Sequence, residues 1–228
     1  MNPMVVSVKN LFEQNAHLEL AGPMESYMRN QFKYLGLKNQ VHFALMRQYY
    51  LENGYPNVEE LTPIVIDLWN LTQREFQYVG IGLLGKYDKV IPEDFIQTLE
   101  YLLITKSWWD TVDSLAAGAV AKHFQRYPDV KTVVLPRWRK SENIWLRRTT
   151  IIFQLMYKKQ TDFPLMCEII RENLGSKEFF INKAIGWALR QYSRVDAQAV
   201  RDFVAQTPLQ PLSAREALKW LDRKKISL

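Results

Sequence analysis

The chain has 228 residues, enough for one sizeable domain or two small ones, and 47% hydrophobic with 24% charged residues excludes a disordered polymer. Ten prolines and nine glycines are too few for a β-sandwich that must turn roughly every ten residues. The net charge of +6 and a pI near 9.3 favour a polyanionic partner but say nothing about the fold.

Apolar residues recur at helical spacing in almost every segment. This predicts helices over 3–14, 23–35, 40–53, 58–70, 73–87, 92–105, 108–126, 129–139, 143–159, 164–174, 177–193, 196–206 and 213–225. Three starts carry the capping-box pattern, in which a hydroxyl accepts from an orphan N–H and an acid reaches back: Thr72 with Glu75, Ser107 with Asp110 and Ser213 with Glu216. No segment reads as a strand. The opening MNPMVVSVKN lacks the basic and long apolar regions of a secretory leader. No stretch is apolar enough to span a bilayer, so no membrane role is expected and the default compartment is the cytoplasm.

Stacking the predicted helices by residue number exposes a repeat. Glu75, Asp110, Trp145 and Phe180 are spaced by 35, as are Tyr78, Asp113, Arg148 and Lys183, and Tyr87, Lys122, Tyr157 and Tyr192. A two-helix unit of that length cannot bury its apolar face alone, so neighbours must stack. The expected fold is all-α, an α-α superhelix or solenoid of HEAT-like helical repeats in a single domain over 1–228, with 1–70 as an N-terminal cap and 71–228 as the repeats. Residues 78, 113, 148 and 183 would then project from one surface, either the concave binding face or a solvated stripe.

Trp109 and Asp113 are four apart and share one helical face, and Trp187 stands in the same relation to Lys183. Asp110 and Asp113 are the only charges between Trp109 and Ala121. The capping box explains Asp110 but not Asp113. A carboxylate on an apolar helix is costly to desolvate without a cation, which is either Arg148, as a structural ion pair, or a ligand. Two indoles flanking that carboxylate suit a cationic planar group. Arg137, Arg139, Lys140, Arg147, Arg148, Lys158, Lys159, Lys183, Arg190 and Arg194, interleaved with Trp138 and Trp145, form a basic track of the kind that meets phosphates.

Other chemistries find little support. The GIGLLG run from Gly80 to Gly85 matches a dinucleotide-binding pattern but falls within a predicted helix, where close packing explains it better. Cys167 is the single cysteine, and His17, His42 and His123 show no ligand spacing, so neither a metal nor another cofactor is expected.

KSWWDTVD at 106–113, NIWLRR at 143–148, GSKEFF at 175–180 and KAIGWALRQY at 183–192, with REFQ at 74–77 and LSAREA at 212–217, carry a family resemblance. Over nearly its whole length the chain resembles the HEAT-like-repeat alkylpurine DNA glycosylases, the AlkD family. The resemblance implies a monofunctional glycosylase, expected as a monomer, that hydrolyses the N-glycosidic bond of cationic alkylated purines such as N3-methyladenine and N7-methylguanine in double-stranded DNA. It implies that Asp113 stabilises cationic character on deoxyribose and helps place the water, and that Trp109 and Trp187 line the lesion's sugar and phosphate. Arg148 is expected to contact DNA, together with Tyr27, Lys106, Lys183 and Arg190. Two departures remove positive charge. Asn39–Phe43 replaces a Pro-x-Arg-Arg turn, and Met156 replaces a common lysine. They leave open a non-catalytic DNA-binding paralogue for branched or distorted DNA. The segment PMESYMRNQFKY at 23–34, read as an amphipathic helix carrying Tyr27, favours the active class.

Overall fold

Helix α1 (Pro3–Gln14) begins where Asn2 accepts the Met4 N–H at 2.9 Å and Pro3, which has no N–H to satisfy, takes the first position. It buries Val5, Val8 and Phe12 on one face. The computed structural model describes residues 1–225, with side chains through residue 222. Among these residues no strand forms beyond an isolated bridge between Lys33 and Gln73. No described helix is long and apolar enough to cross a membrane.

The chain groups into two compact units, Met1–Thr98 and Leu99–Leu228. In the first, α2 (Leu18–Tyr27), α3 (Asn39–Asn53), α4 (Leu61–Asn70) and α5 (Arg74–Tyr87) follow α1. The helix predicted over 23–35 is corrected here: α2 starts at Leu18 and stops at Tyr27, because Arg29 and Asn30 take φ of 56° and 55°. The backbone beyond them is committed elsewhere. The N–H groups of Leu35, Gly36 and Leu37 all point at one oxygen of Glu75, at 3.0, 3.0 and 3.2 Å. Gly36 is required in that nest: its φ is 82°, and a Cβ there would lie 1.9 Å from the His17 carbonyl oxygen.

Glu75 is therefore an anchor and not a cap, and it is fully buried. The expected Thr72–Glu75 box does not form; the cap of α5 is Gln73. A capping box that the sequence reading passed over does form at Asn57 and Glu60, at the turn leading into α4.

The second unit begins within α6 (Ile96–Ile104), followed by α7 (Trp109–Leu115), a π-helical turn (Ala116–Val120) and α8 (Ala121–Arg126). Then come α9 (Pro128–Arg139), α10 (Ile144–Ile152), α11 (Phe163–Glu172), α12 (Phe179–Tyr192), α13 (Ala197–Gln206) and α14 (Pro211–Lys225). Helix α7 packs on α10, α10 on α12 and α12 on α14, while α9, α11 and α13 fill the second layer. The 35-residue period is a set of contacts: Asp113 meets Arg148, Trp145 meets Phe180, and Gln125 donates to Gln160.

Two more caps are corrected. Ser107 donates to the Leu103 carbonyl, and Ser213 donates to Asn182 from within α14, while Glu216 serves an ion-pair cluster. Helix α10 ends at Ile152, short of the predicted 159, because Gln154 closes a loop by exchanging hydrogen bonds with the Asp162 backbone.

The tightest helix contact is α12 on α14. A Cβ on Gly186 would lie 2.5 Å from the Glu216 Cβ and 2.9 Å from the Ser213 carbonyl oxygen, so no side chain fits without moving α14. Gly186→Ala is expected to cost about 1–3 kcal/mol in urea denaturation, as overpacking does. Gly85→Ala, on α5 with open space around its Cβ, should raise stability by about 0.5–1 kcal/mol.

Candidate active site and nucleic-acid interface

The second unit places three residues of the 35-residue row on neighbouring helices: Asp113 on α7, Arg148 on α10 and Lys183 on α12. The cation that meets Asp113 is Arg148. Its Nε donates to Oδ1 and its Nη2 to Oδ2, both at 2.7 Å, a fork-on-carboxylate geometry. Nη1 donates to the Phe180 carbonyl oxygen at the start of α12, so one guanidinium ties three successive repeats. Arg148 is buried, whereas the Asp113 side chain keeps 14% of its surface.

Burial pushes the Asp113 carboxyl above its usual 3.8, with the nearby Asp110 charge adding to the rise and the Arg148 hydrogen bonds and charge opposing it. Each carboxylate oxygen has a second lone-pair direction beyond the one that Arg148 uses.

An aromatic cluster walls this pair. Trp108, Trp145 and Phe180 pack with ring centroids 5.0 to 5.8 Å apart, and the Arg148 guanidinium lies 5.9 Å from the Phe180 ring. Trp108 Nε1 is buried with no acceptor. The sequence reading missed Phe180 and Trp108 as parts of the site. The grid could have found them, since Phe180 is 35 beyond Trp145 and Trp108 is adjacent to the singled-out Trp109.

Trp109 is the first residue of α7, one turn before Asp113, and Trp187 lies one turn beyond Lys183 on α12; both indoles are half-buried. Lys106 turns the chain from α6 into α7 with φ of 49°. Lys183 and Arg190 converge on Glu216 of α14, at 3.2 and 2.5 Å. Tyr27 belongs to the first unit, where it ends α2 with its side chain exposed.

The basic track divides into two kinds of cation. Arg137 is forked onto Glu100, and Arg139 onto Glu172 with a further bond to Glu168, so both are spoken for. By contrast, Lys158, Lys159 and Arg194 line an open cleft of about 730 Å³ with no acidic residue in its wall. Tyr157 and Tyr192 contribute its aromatic surface. Three uncompensated cations around one cleft concentrate positive potential where a phosphate chain can run.

The model of the DNA alkylation repair enzyme family matches residues 8–221. The chain belongs to that family. It is similar to the solved structure of a predicted DNA alkylation repair enzyme from Enterococcus faecalis, at 33% identity and a TM-score of 0.77, covering 90% of this chain and 96% of that one. No match is found among curated proteins. As a member of the family the protein acts in the repair of alkylation damage, with DNA as its partner.

Removing Arg148 would strand a largely buried carboxylate. Arg148→Ala is expected to lower stability by about 3 kcal/mol, and adding Asp113→Asn should recover part of that loss. A double-mutant cycle by urea denaturation measures the coupling; strict additivity would mean that the two side chains do not interact.

Proposed function

We propose that this repair protein is a monofunctional DNA glycosylase that hydrolyses the N-glycosidic bond of cationic alkylated purines, N3-methyladenine and N7-methylguanine, in duplex DNA. The observation that carries the reading is Asp113, a carboxylate fixed by a two-pronged arginine, with Trp109 one turn before it on α7 and part of its surface exposed.

The chemistry follows from the leaving group. A purine alkylated at N3 or N7 already bears positive charge, so the electrons of the C1′–N bond neutralise the departing base and no strong general acid is required. Cationic character grows instead on C1′ and the ring oxygen of deoxyribose. A preorganised negative charge in a site of low dielectric stabilises that state more than the ground state, which is the differential binding that lowers a barrier. The lone pairs of Asp113 not used by Arg148 can orient a water toward C1′. As the C1′–O bond forms, the water's proton passes to the carboxylate and then to solvent.

The half-buried Trp109 and Trp187 would exclude bulk water and favour a cationic sugar–base unit by cation–π contact. No lysine nucleophile is needed, so no strand cleavage follows. Lys158, Lys159 and Arg194 would hold phosphates, with Lys106, Lys183, Arg190 and the exposed Tyr27 as further contacts, and the protein would act as a monomer.

A second reading keeps DNA binding without catalysis. Its support is that both Asp113 oxygens are engaged by Arg148, and that Met156, exposed beside the basic cleft, brings no charge there.

Wild-type protein should release N7-methylguanine from methylated duplex DNA, and Asp113→Asn should slow release about 100-fold or more. Full activity in that variant would sink the mechanism, whereas tight binding without release by the wild type would decide for the second reading. The pH profile gives an independent check. Catalysis needs the ionised carboxylate, so activity falls as pH drops through the Asp113 pKa. Because burial raises that pKa, the acid limb of kcat/KM should lie above the ordinary Asp value of 3.8. Arg148→Gln, which removes the opposing charge, should move the limb to still higher pH.

A further inference from the structure

The first unit contains a cleft of about 360 Å³ between α3 and α5, apart from the residues assigned above. Its walls are aromatic: Phe43, Tyr50, Tyr55 and Tyr78. Tyr50 and Tyr55 stack at 4.2 Å with an 18° interplanar angle, and Phe43 is 60% exposed at the edge. The Phe43 ring packs on one side against His42, with centroids 4.8 Å apart, and leaves the rest of its surface open.

Two cations, Arg47 and Lys86, also line the cleft, with Lys86 Nζ 5.8 Å from the centre of the Tyr55 ring. No acidic residue lines it. His42 also lines the cleft; it is only 3% exposed, and its Nδ1 is buried with no hydrogen-bond partner. A buried polar atom without a partner is a cost that a ligand atom can remove. Burial drives the His42 pKa down to about 4, so the imidazole is neutral at ordinary pH and adds no charge.

These features select for one kind of ligand. Aromatic walls alone would accept a cationic ring, but Arg47 and Lys86 repel one, so the cleft disfavours the alkylated base. A neutral planar heterocycle joined to a negatively charged group satisfies the walls, the cations and the histidine together. The volume lies at the lower end of the roughly 300–1,000 Å³ typical of small-molecule sites, which fits one such unit.

We propose that this cleft binds a single nucleotide unit, with its base against the aromatic walls and within reach of His42 and its phosphate toward Arg47 and Lys86. The unit can come from a free nucleotide or from a DNA strand, since both present the same base and phosphate. The proposal does not depend on glycosylase activity.

Full-length protein would be titrated with deoxyadenosine 5′-monophosphate and, separately, with a single-stranded deoxyadenosine pentamer. The imidazole resonances of His42 and the ring resonances of Phe43 and Tyr55 would be followed by NMR. Saturable shifts with the mononucleotide identify a free nucleotide as a ligand, and shifts with the pentamer alone identify a strand; either supports the site. Phe43→Ala and Lys86→Glu, both at exposed positions, should each weaken binding about tenfold. No shift of His42 with either probe overturns the proposal. So does binding of unchanged affinity in both variants, since the ligand would then lie elsewhere. Base release is not measured, so this proposal and the glycosylase reading can fail separately.

Discussion

The second unit depends on one ion pair joining residues 35 positions apart, Asp113 and Arg148. Two charges leave water to make it, and the cost is met only because the geometry is two-pronged and the remaining guanidinium nitrogen reaches the Phe180 carbonyl. An interaction that stabilises little but tolerates few geometries specifies register. Helices α7, α10 and α12 can slide past one another on apolar side chains at modest cost, but not without unpairing this arginine. The register in turn packs Trp145 at a tilt against Phe180 and closes the aromatic wall beside Arg148. Structural and functional readings of the pair are therefore compatible, because a fixed charge is what preorganised electrostatics requires.

The charges of this unit fall into two classes with different consequences. Those of Arg137, Arg139, Lys183 and Arg190 are matched by Glu100, Glu172 and Glu216, so they join helices and contribute little to long-range attraction. The cations of the large cleft are unmatched by any lining acid, and they keep the potential that a polyanion would feel. Net charge cannot distinguish the two classes. A basic run in the sequence is thus a poor map of where DNA would lie, since half of it is consumed by the fold.

The first unit is organised on a different principle, with a buried carboxylate and no cation at its oxygens. One Glu75 oxygen accepts three consecutive backbone N–H groups and holds the loop before α3 in a fixed path. The helix read over 23–35 stops at Tyr27, where Arg29 and Asn30 turn to positive φ, and the last residue of that span already gives its N–H to Glu75. Periodicity reports which face would be buried if a segment were helical. It cannot report that distant side chains will claim its backbone donors.

What the sequence by itself determined was the helical class, the 35-residue repeat and the neighbours it implies, because period and spacing are local properties copied along the chain. It also singled out Asp113, since a charge on an otherwise apolar helix is conspicuous without coordinates. The tertiary structure alone decided which acids cap and which anchor: Glu75 and Glu216 look like cap partners in sequence, yet each serves groups more than twenty residues away. It alone decided that Arg148 holds both Asp113 oxygens, that Phe180 and Trp108 complete the wall, and which cations stay unpaired. Such outcomes rest on distances between residues far apart in the chain, and those distances are set only when the repeats stack.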